Sequence, residues 1–121
     1  MKYSFTPIEG DILVIESDNL LSGYDNNILL REVESKIEAG LHRFIINLSG
    51  IKYMNSLGLS FMIAVLTKSR SAGGETVICN VNAKIDELLA IMKLKSIFSV
   101  CDDLESAIQV FNQEEQAVLS D

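Results

Sequence analysis

The sequence predicts an α/β domain, in which a mixed four- to five-stranded sheet is packed with helices, and three observations lead to it. The chain has 121 residues, the size of one average domain. Its hydrophobic fraction of 48% and mean hydropathy of +0.25 are typical of a chain with a buried core. Apolar runs of strand length alternate with longer segments of helical periodicity, in the order β-β-α-β-α-β-α-β-α.

The first two predicted strands form a hairpin at the N-terminus. Tyr3 and Phe5 alternate with polar neighbours, the segment 7–10 has the composition of a turn, and residues 12–15 are all aliphatic. Because only a short turn separates the two strands, they are expected to pair directly and antiparallel.

The middle of the chain alternates helices with buried strands. A helix is predicted to start at Asp25, which two asparagines follow, and to end at Gly40. The nearly continuous apolar run at 44–48 predicts a strand covered on both faces. A helix that is apolar on more than one side follows at 56–72, and the glycines at 73–74 stop it.

The last third of the chain repeats this alternation. Residues 76–79 predict another buried strand, Asn82 is expected to cap a short helix, and residues 97–100 predict a last short strand. Asp102 as N-cap, with Glu105 three residues later, predicts the start of the final helix.

The chain contains no internal repeat, low-complexity segment or linker, so residues 1–112 are predicted to form a single domain. The polar stretch 113–121 is predicted to be a frayed C-terminal tail. Because helices connect the strands after the hairpin, these strands are expected to be parallel neighbours with right-handed crossovers.

Charge, hydropathy and cysteine usage exclude several function classes. A net charge of −7 argues against nucleic acid as a direct partner, since a phosphate backbone demands a basic face. No apolar run approaches the ~18 residues of a membrane span, and the N-terminus lacks the apolar core of a signal peptide. Cys79 and Cys101 belong to no Cys/His cluster, so neither a zinc site nor a disulfide framework is suggested, and no cofactor or metal is expected. A cytoplasmic location fits this pattern.

Chemistry is expected in the loop after the strand at 44–48, because ligands of open α/β sheets bind beyond the carboxyl ends of the strands. Asn55 and Ser56 stand there, at the start of the most apolar helix. Serine is a preferred N-cap, which gives Ser56 one purely structural explanation. The other explanation is modification. A phosphate would add about −1.5 to −2 charges where the helix dipole tolerates them, and would repel a partner docked beside Leu57 and Leu59.

Resemblance to a known family is carried by the segment 46–59, which reads I-N-L-S-G-I-K-Y-M-N-S-L-G-L. It resembles the signature of STAS domains, specifically of the free-standing anti-sigma factor antagonists. Their pattern is a strand reading L-D-L-S, a short hydrophobic approach, and D-S-S-G-L at the opening of a helix. The resemblance extends over nearly the whole chain, including the glycines at 73–74 and the closing segment 103–107. It implies a STAS-like fold.

The resemblance also implies a non-enzymatic regulatory switch. Unphosphorylated members of the family bind an ATP-dependent serine kinase that doubles as an anti-sigma factor, which frees the sigma factor for transcription. The match to the motif makes Ser56 the residue that the kinase phosphorylates to end this binding, and a metal-dependent serine phosphatase reverses the modification. The residues that match partner-binding positions are Asp25, Asn55, Leu57, Gly58 and Leu59.

The sequence departs from the motif at three positions. Asn47 and Asn55 replace aspartates, and Leu57 replaces the second serine. Asn55 still suits a helix cap and removes a negative charge next to a prospective phosphate, but it also removes a carboxylate available to a kinase or a metal. The departures therefore bear more on the efficiency of phosphorylation than on partner binding.

Other interpretations stay open. The three departures favour a non-phosphorylated scaffold subunit of a larger assembly, such as the STAS partner of a lipid-transport ATPase. A phosphoacceptor receiver domain has similar length and acidity but needs clustered aspartates at strand ends to hold magnesium. This chain has asparagines at those positions, namely Asn47, Asn55, Asn80 and Asn82. An enzyme is disfavoured further, since the sequence offers no nucleophile–base pair and no metal cluster.

Overall fold

The structure is a computed structural model that describes the backbone of residues 1–119 and the side chains of residues 1–113. Its elements follow the predicted order. They are β1 (Tyr3–Ile8), β2 (Ile12–Ser17), α1 (Gly23–Glu38), β3 (Arg43–Asn47), α2 (Ser56–Ser71), β4 (Glu75–Cys79), α3 (Ala83–Ile91), β5 (Ser99–Cys101) and α4 (Leu104–Leu119).

The five strands lie side by side in sequence order in one mixed sheet. The β1–β2 hairpin is antiparallel, as predicted, and the three remaining pairs are parallel. Helices α1 and α2 pack on each other over one face of the sheet, and α4 packs on β3, β4 and β5. The predicted α/β class with a mixed sheet is confirmed.

Side chains of the inner strands alternate between two buried faces. Leu13 and Ile15 of β2 belong to the core that lies under α1, α2 and α3. Ile12 and Val14 of the same strand belong to a second, smaller core with Phe111 of α4. A strand covered on both faces has no polar side, which explains why these strands are continuous apolar runs in the sequence.

The predicted turn at 7–10 is wrong at its start. Pro7 and Ile8 belong to β1, where Pro7 pairs with Leu13, and the chain reverses at residues 9–11. Proline is tolerated because β1 lies at the edge of the sheet, where its missing N–H costs no ladder hydrogen bond.

Two helix starts also differ from the prediction. Helix α1 begins at Gly23, before the predicted Asp25, because the Ser22 hydroxyl accepts a hydrogen bond from the Asp25 N–H at 3.2 Å and caps the helix. Helix α4 is capped by Asp103, whose carboxylate accepts from the Ser106 N–H at 2.8 Å, and not by Asp102. This hydrogen bond lowers the pKa of Asp103.

The predicted strand at 97–100 lies one to two residues further along, as β5, because the Ile97 N–H closes a turn onto the Leu94 carbonyl. The backbone of α4 continues to Leu119, while the side chains of 114–121 lie outside the described residues. The domain boundary at 112, with its polar tail, therefore stays a prediction. Within the described part of the chain, no helix is both long and apolar enough to span a membrane.

Candidate functional site

Ser56 lies exposed at the beginning of α2, beyond the carboxyl end of β3. It is the first helical residue, and the cap is supplied by its neighbour. The Asn55 side-chain oxygen accepts hydrogen bonds from the Leu57 N–H at 3.0 Å and the Gly58 N–H at 3.2 Å. Because Asn55 does the capping, the helix does not need the Ser56 hydroxyl. The structural explanation of Ser56 as the N-cap of the helix is therefore not needed.

Exposed apolar side chains lie at the start of α2 and on the segment that leads into α1. Leu57 is 45% exposed, whereas Phe61 and Val65, which continue the same stripe of the helix, are buried. Leu21 and Tyr24 of the preceding loop and helix are also exposed, and Tyr24 reaches 78%. The three exposed side chains Leu21, Tyr24 and Leu57 are called the apolar patch below. Leu21 and Tyr24 belong to no periodic pattern, so no local feature of the sequence predicts their exposure.

Gly58 and Leu59, two residues predicted to bind a partner, are buried. A side chain at Gly58 would meet the Leu20 carbonyl oxygen at 3.2 Å and the Met54 Cγ at 2.8 Å. Leu59 lies in the core. Both residues therefore shape the site from beneath, and of the four predicted partner-binding residues at 55–59 only Asn55 and Leu57 are exposed.

Asp25 lies half-buried in the first turn of α1. The start of that helix reaches the site, since a side chain at Gly23 would meet Leu57 Cδ1 at 3.8 Å. In the part of the chain whose side chains are described, no hydrogen bond joins Asp25 to Ser56. Its partner-binding role stays a prediction.

The loop between β2 and α1 (residues 18–22, called the β2–α1 loop) is held by two side-chain amides, one from α1 and one from the residue that caps α2. The Asn26 Nδ2 donates to the Leu20 carbonyl at 2.8 Å, and the Asn55 Nδ2 donates to the Leu21 carbonyl at 3.2 Å. Gly58 permits this close approach, because a side chain there would press on Leu20. The bond from Asn55 places Leu21 beside the start of α2.

The other strand-end asparagines serve the same structural purpose. The Asn47 Nδ2 donates to Glu16 at 3.2 Å, while its Oδ1 accepts from the Asn80 Nδ2 at 2.9 Å. Asn82 caps α3 with its oxygen and donates to the carbonyls of Ile51 at 3.2 Å and Lys52 at 3.0 Å. An amide can donate and accept at once, which an ionised aspartate cannot.

Comparison with known proteins assigns this architecture to a family. The family model for the STAS domain matches residues 4–107. The chain belongs to the STAS domain family. BtrV of Bordetella bronchiseptica, assigned as an anti-sigma factor antagonist, is 26% identical over 111 residues, which cover 92% of this chain and 95% of BtrV. The resemblance found in the sequence is thereby confirmed.

Solved structures share the fold of this STAS domain. A Thermotoga maritima protein assigned as an anti-sigma factor antagonist superposes with a TM-score of 0.80 at 18% identity, covering 88% of this chain and 92% of that one. The unphosphorylated form of the anti-sigma factor antagonist SpoIIAA, from Bacillus, has a TM-score of 0.76 at 13% identity, covering 92% and 97%. Its phosphorylated form has a TM-score of 0.71 at 14% identity, covering 90% and 99%.

The STAS domain offers no metal cluster among its described residues, where no three His, Cys, Asp or Glu side chains come close enough to hold an ion. The two cysteines are register partners on the parallel strands β4 and β5. Cys79 is buried, and burial, followed by the proximity of Cys101, raises the pKa of its thiol to about 12. Burial also raises the pKa of the half-buried Cys101.

The raised pKa of Cys79 predicts a pH dependence of stability. Its thiol loses a proton near pH 9 in the unfolded chain but only near pH 12 in the folded one, so the unfolded state binds fewer protons in between. We expect the free energy of unfolding to fall across this range, by up to about 1.4 kcal/mol per pH unit. Urea titrations at several pH values measure it. Cys79→Ala should lose less stability with pH than the wild type, and equal losses would contradict the assignment.

Proposed function

We propose that this protein is an anti-sigma factor antagonist, a non-enzymatic switch that binds a serine kinase acting as an anti-sigma factor. Phosphorylation of Ser56 by that kinase ends the binding, and a metal-dependent serine phosphatase restores it. The observation that carries the proposal is the exposed Ser56 hydroxyl, free of any capping duty, beside exposed apolar side chains. The assignment of BtrV as an anti-sigma factor antagonist supports it.

The position of Ser56 suits a phosphate that leaves the fold intact. At the first residue of α2 the phosphate meets the positive end of the helix macrodipole, a favourable interaction of about 0.3–1 kcal/mol. The first turn of α2 contains no acidic residue, and Asn55 stands where the motif has an aspartate. No fixed negative charge of that turn therefore opposes the phosphate.

The same phosphate changes what the surface can bind. Leu57 and the rest of the apolar patch can be covered only by a partner that removes water from them. A dianion next to this surface would have to lose its hydration when the partner docks, unless the partner supplies a matching cation. Modification at Ser56 thus opposes docking without any need to unfold the site.

The direct test is phosphorylation by the cognate kinase. With kinase and ATP, we expect intact-mass spectrometry to show the addition of one phosphate, and the Ser56→Ala variant to show none. Ser60, which is exposed one turn further along α2, provides the control, since Ser60→Ala should accept the phosphate as the wild type does. Modification that persists in Ser56→Ala, or no modification of the wild type, would refute the switch.

A scaffold subunit that is never phosphorylated, such as one in a lipid-transport ATPase, is the competing function. The replacement of motif residues by Asn47, Asn55 and Leu57 is the sequence feature that favours it. Asn47 and Asn55 have hydrogen-bonding roles of their own, so these two replacements do not require the loss of a switch. Identifying the proteins that co-purify with this chain distinguishes the two functions. A scaffold subunit would be recovered with ATPase components, and the switch with a kinase.

A further inference from the structure

The side chain of Asn55 performs two tasks in opposite directions. Its Oδ1 accepts from the N–H groups of Leu57 and Gly58, at 3.0 and 3.2 Å, and so caps α2. Its Nδ2 donates to the Leu21 carbonyl at 3.2 Å, across 34 positions of the sequence. One planar amide therefore connects the start of the helix that carries Ser56 with the β2–α1 loop.

An aspartate at position 55 could perform only the first task. Its carboxylate accepts hydrogen bonds as a helix cap does, but it has no proton to donate to the Leu21 carbonyl. Two oxygen atoms would then face each other where a hydrogen bond now lies. The asparagine in place of the motif aspartate is thus the feature that ties the loop to the helix.

The second anchor of the β2–α1 loop is of a different kind. The Asn26 Nδ2 donates to the Leu20 carbonyl at 2.8 Å from a side chain that is only 5% exposed. Burial keeps that bond away from solvent and from any group attached to Ser56. The bond from Asn55 is exposed, so it is the anchor that an event at the surface can break.

A phosphate on Ser56 would interfere with both hydrogen-bonding functions of the Asn55 amide. The N–H groups of Leu57 and Gly58 lie in the first turn of α2 and are held only by a neutral amide oxygen. A phosphate oxygen is a stronger acceptor, since hydrogen bonds to ionised groups are roughly twice as strong as neutral ones. The phosphate can also accept directly from the Asn55 Nδ2. In the first arrangement the Asn55 amide loses the two hydrogen bonds that fix its orientation, and in the second its Nδ2 turns toward the phosphate; both weaken the hold of Nδ2 on the Leu21 carbonyl.

We propose that Asn55 is a positioning residue that couples the modification of Ser56 to the β2–α1 loop. The phosphate turns the Asn55 amide away from Leu21, and Leu21 moves relative to Leu57, so the apolar patch no longer keeps the arrangement that a partner would bind. The inference rests on the proposed function, because it takes Ser56 as the modified residue. It adds a second reason for release, beside the charge of the phosphate.

Phosphoserine placed at position 56 during translation tests this without a kinase. Backbone amide shifts of residues 19–24 are compared by NMR between the modified and unmodified protein, with phosphoserine at 60 as the control for charge on the same helix. We expect the mean shift change in the loop to be at least twofold larger for position 56. Changes of equal size at the two positions would overturn the proposal.

The Asn55→Asp variant tests the role of the amide nitrogen, because it removes the donor to Leu21 and keeps the cap. The carboxylate keeps the cap, so the melting temperature should stay close to that of the wild type, while the loop amides shift before any phosphate is present. Phosphoserine at 56 should then add less than half of the loop change it causes in the wild type. A loop response equal to the wild-type response would overturn the coupling. If Asn55→Asp fails to fold, Asn55→Ser keeps a capping oxygen on a side chain too short to reach Leu21, and the same comparison applies.

Asn82→Asp is the matched control, because Asn82 is an N-cap that also donates to loop carbonyls. Its replacement should shift the amides near Ile51 and Lys52 and leave residues 19–24 in place. If the kinase does not phosphorylate Ser56, the proposed function is refuted, but the spectra still show whether a phosphate at position 56 changes the β2–α1 loop. Spectra without a loop response to phosphoserine would refute the coupling and leave the kinase assay untouched.

Discussion

Replacing Ser56 with aspartate should weaken binding of the partner kinase at least tenfold while the protein stays folded. The new carboxylate sits at the positive end of α2, which favours the folded state slightly. Binding must remove water from this charge beside the exposed Leu57 side chain. A tenfold loss corresponds to about 1.4 kcal/mol, a small part of the cost of burying an unpaired charge. Isothermal titration calorimetry and thermal unfolding measure the two effects.

The matched control for this substitution is Thr67→Asp. Thr67 is exposed on the same helix, eleven residues further along, which places it three turns away on nearly the same face. It introduces the same charge far from the apolar patch, so we expect binding within about twofold of the wild type. If Ser56→Asp binds as tightly as Thr67→Asp, the surface at the start of α2 is not where the partner docks.

The fold was predictable because its signals are local and repeated. Strands with two buried faces are continuous apolar runs, and Gly40 and Gly73 end α1 and α2 at positive φ of 94° and 87°. The errors arose where a neighbour in space outweighs the local signal. Pro7 extends β1 because the strand lies at a sheet edge, and Ser22 starts α1 ahead of Asp25 because its hydroxyl reaches the Asp25 N–H.

Only the features of the candidate site that depend on neighbouring residues in the sequence were predictable. The place of Asn55 and Ser56 at the start of an apolar helix follows from residues close to them in sequence. The hydrogen bond from Asn55 to Leu21 does not, since its acceptor is a backbone carbonyl, which every residue has, on a loop 34 positions away. The same holds for Asn26, whose amide pattern marks a helix start in the sequence but holds the Leu20 carbonyl in the structure.

These amides explain why asparagine recurs at the carboxyl edge of the sheet. Asn47, Asn55, Asn80 and Asn82 each donate at least one hydrogen bond to a neighbouring loop or strand end, and all but Asn80 also accept at least one from a backbone N–H. Aspartates at these positions would bring negative charges together without donors between them. The edge is thus held by neutral side-chain amides, one of which donates to the Glu16 carboxylate, and a phosphate on Ser56 would add charge to it.

A large loss of stability is expected from Gly74→Ala, at the opposite end of the sheet. A Cβ atom at Gly74 would overlap the His42 carbonyl oxygen and lie 2.6 Å from the His42 carbonyl carbon. That carbonyl accepts the Glu75 N–H at 3.1 Å, next to the first pair of the β3–β4 ladder. Backbone, not a flexible side chain, must move, so we expect a loss of about 3 kcal/mol, the upper part of the range for overpacked sites.

Gly73→Ala separates this overlap from the general cost of replacing a glycine. Gly73 has a φ of +87°, and a Cβ atom there would meet nothing within 4 Å. Its replacement should cost only the strain of the left-handed backbone, about 1–2 kcal/mol. Urea unfolding of both variants measures the difference. A Gly74→Ala protein no less stable than Gly73→Ala would mean that the β3–β4 junction yields easily, and that the close approach of Gly74 to His42 is not needed to start the ladder.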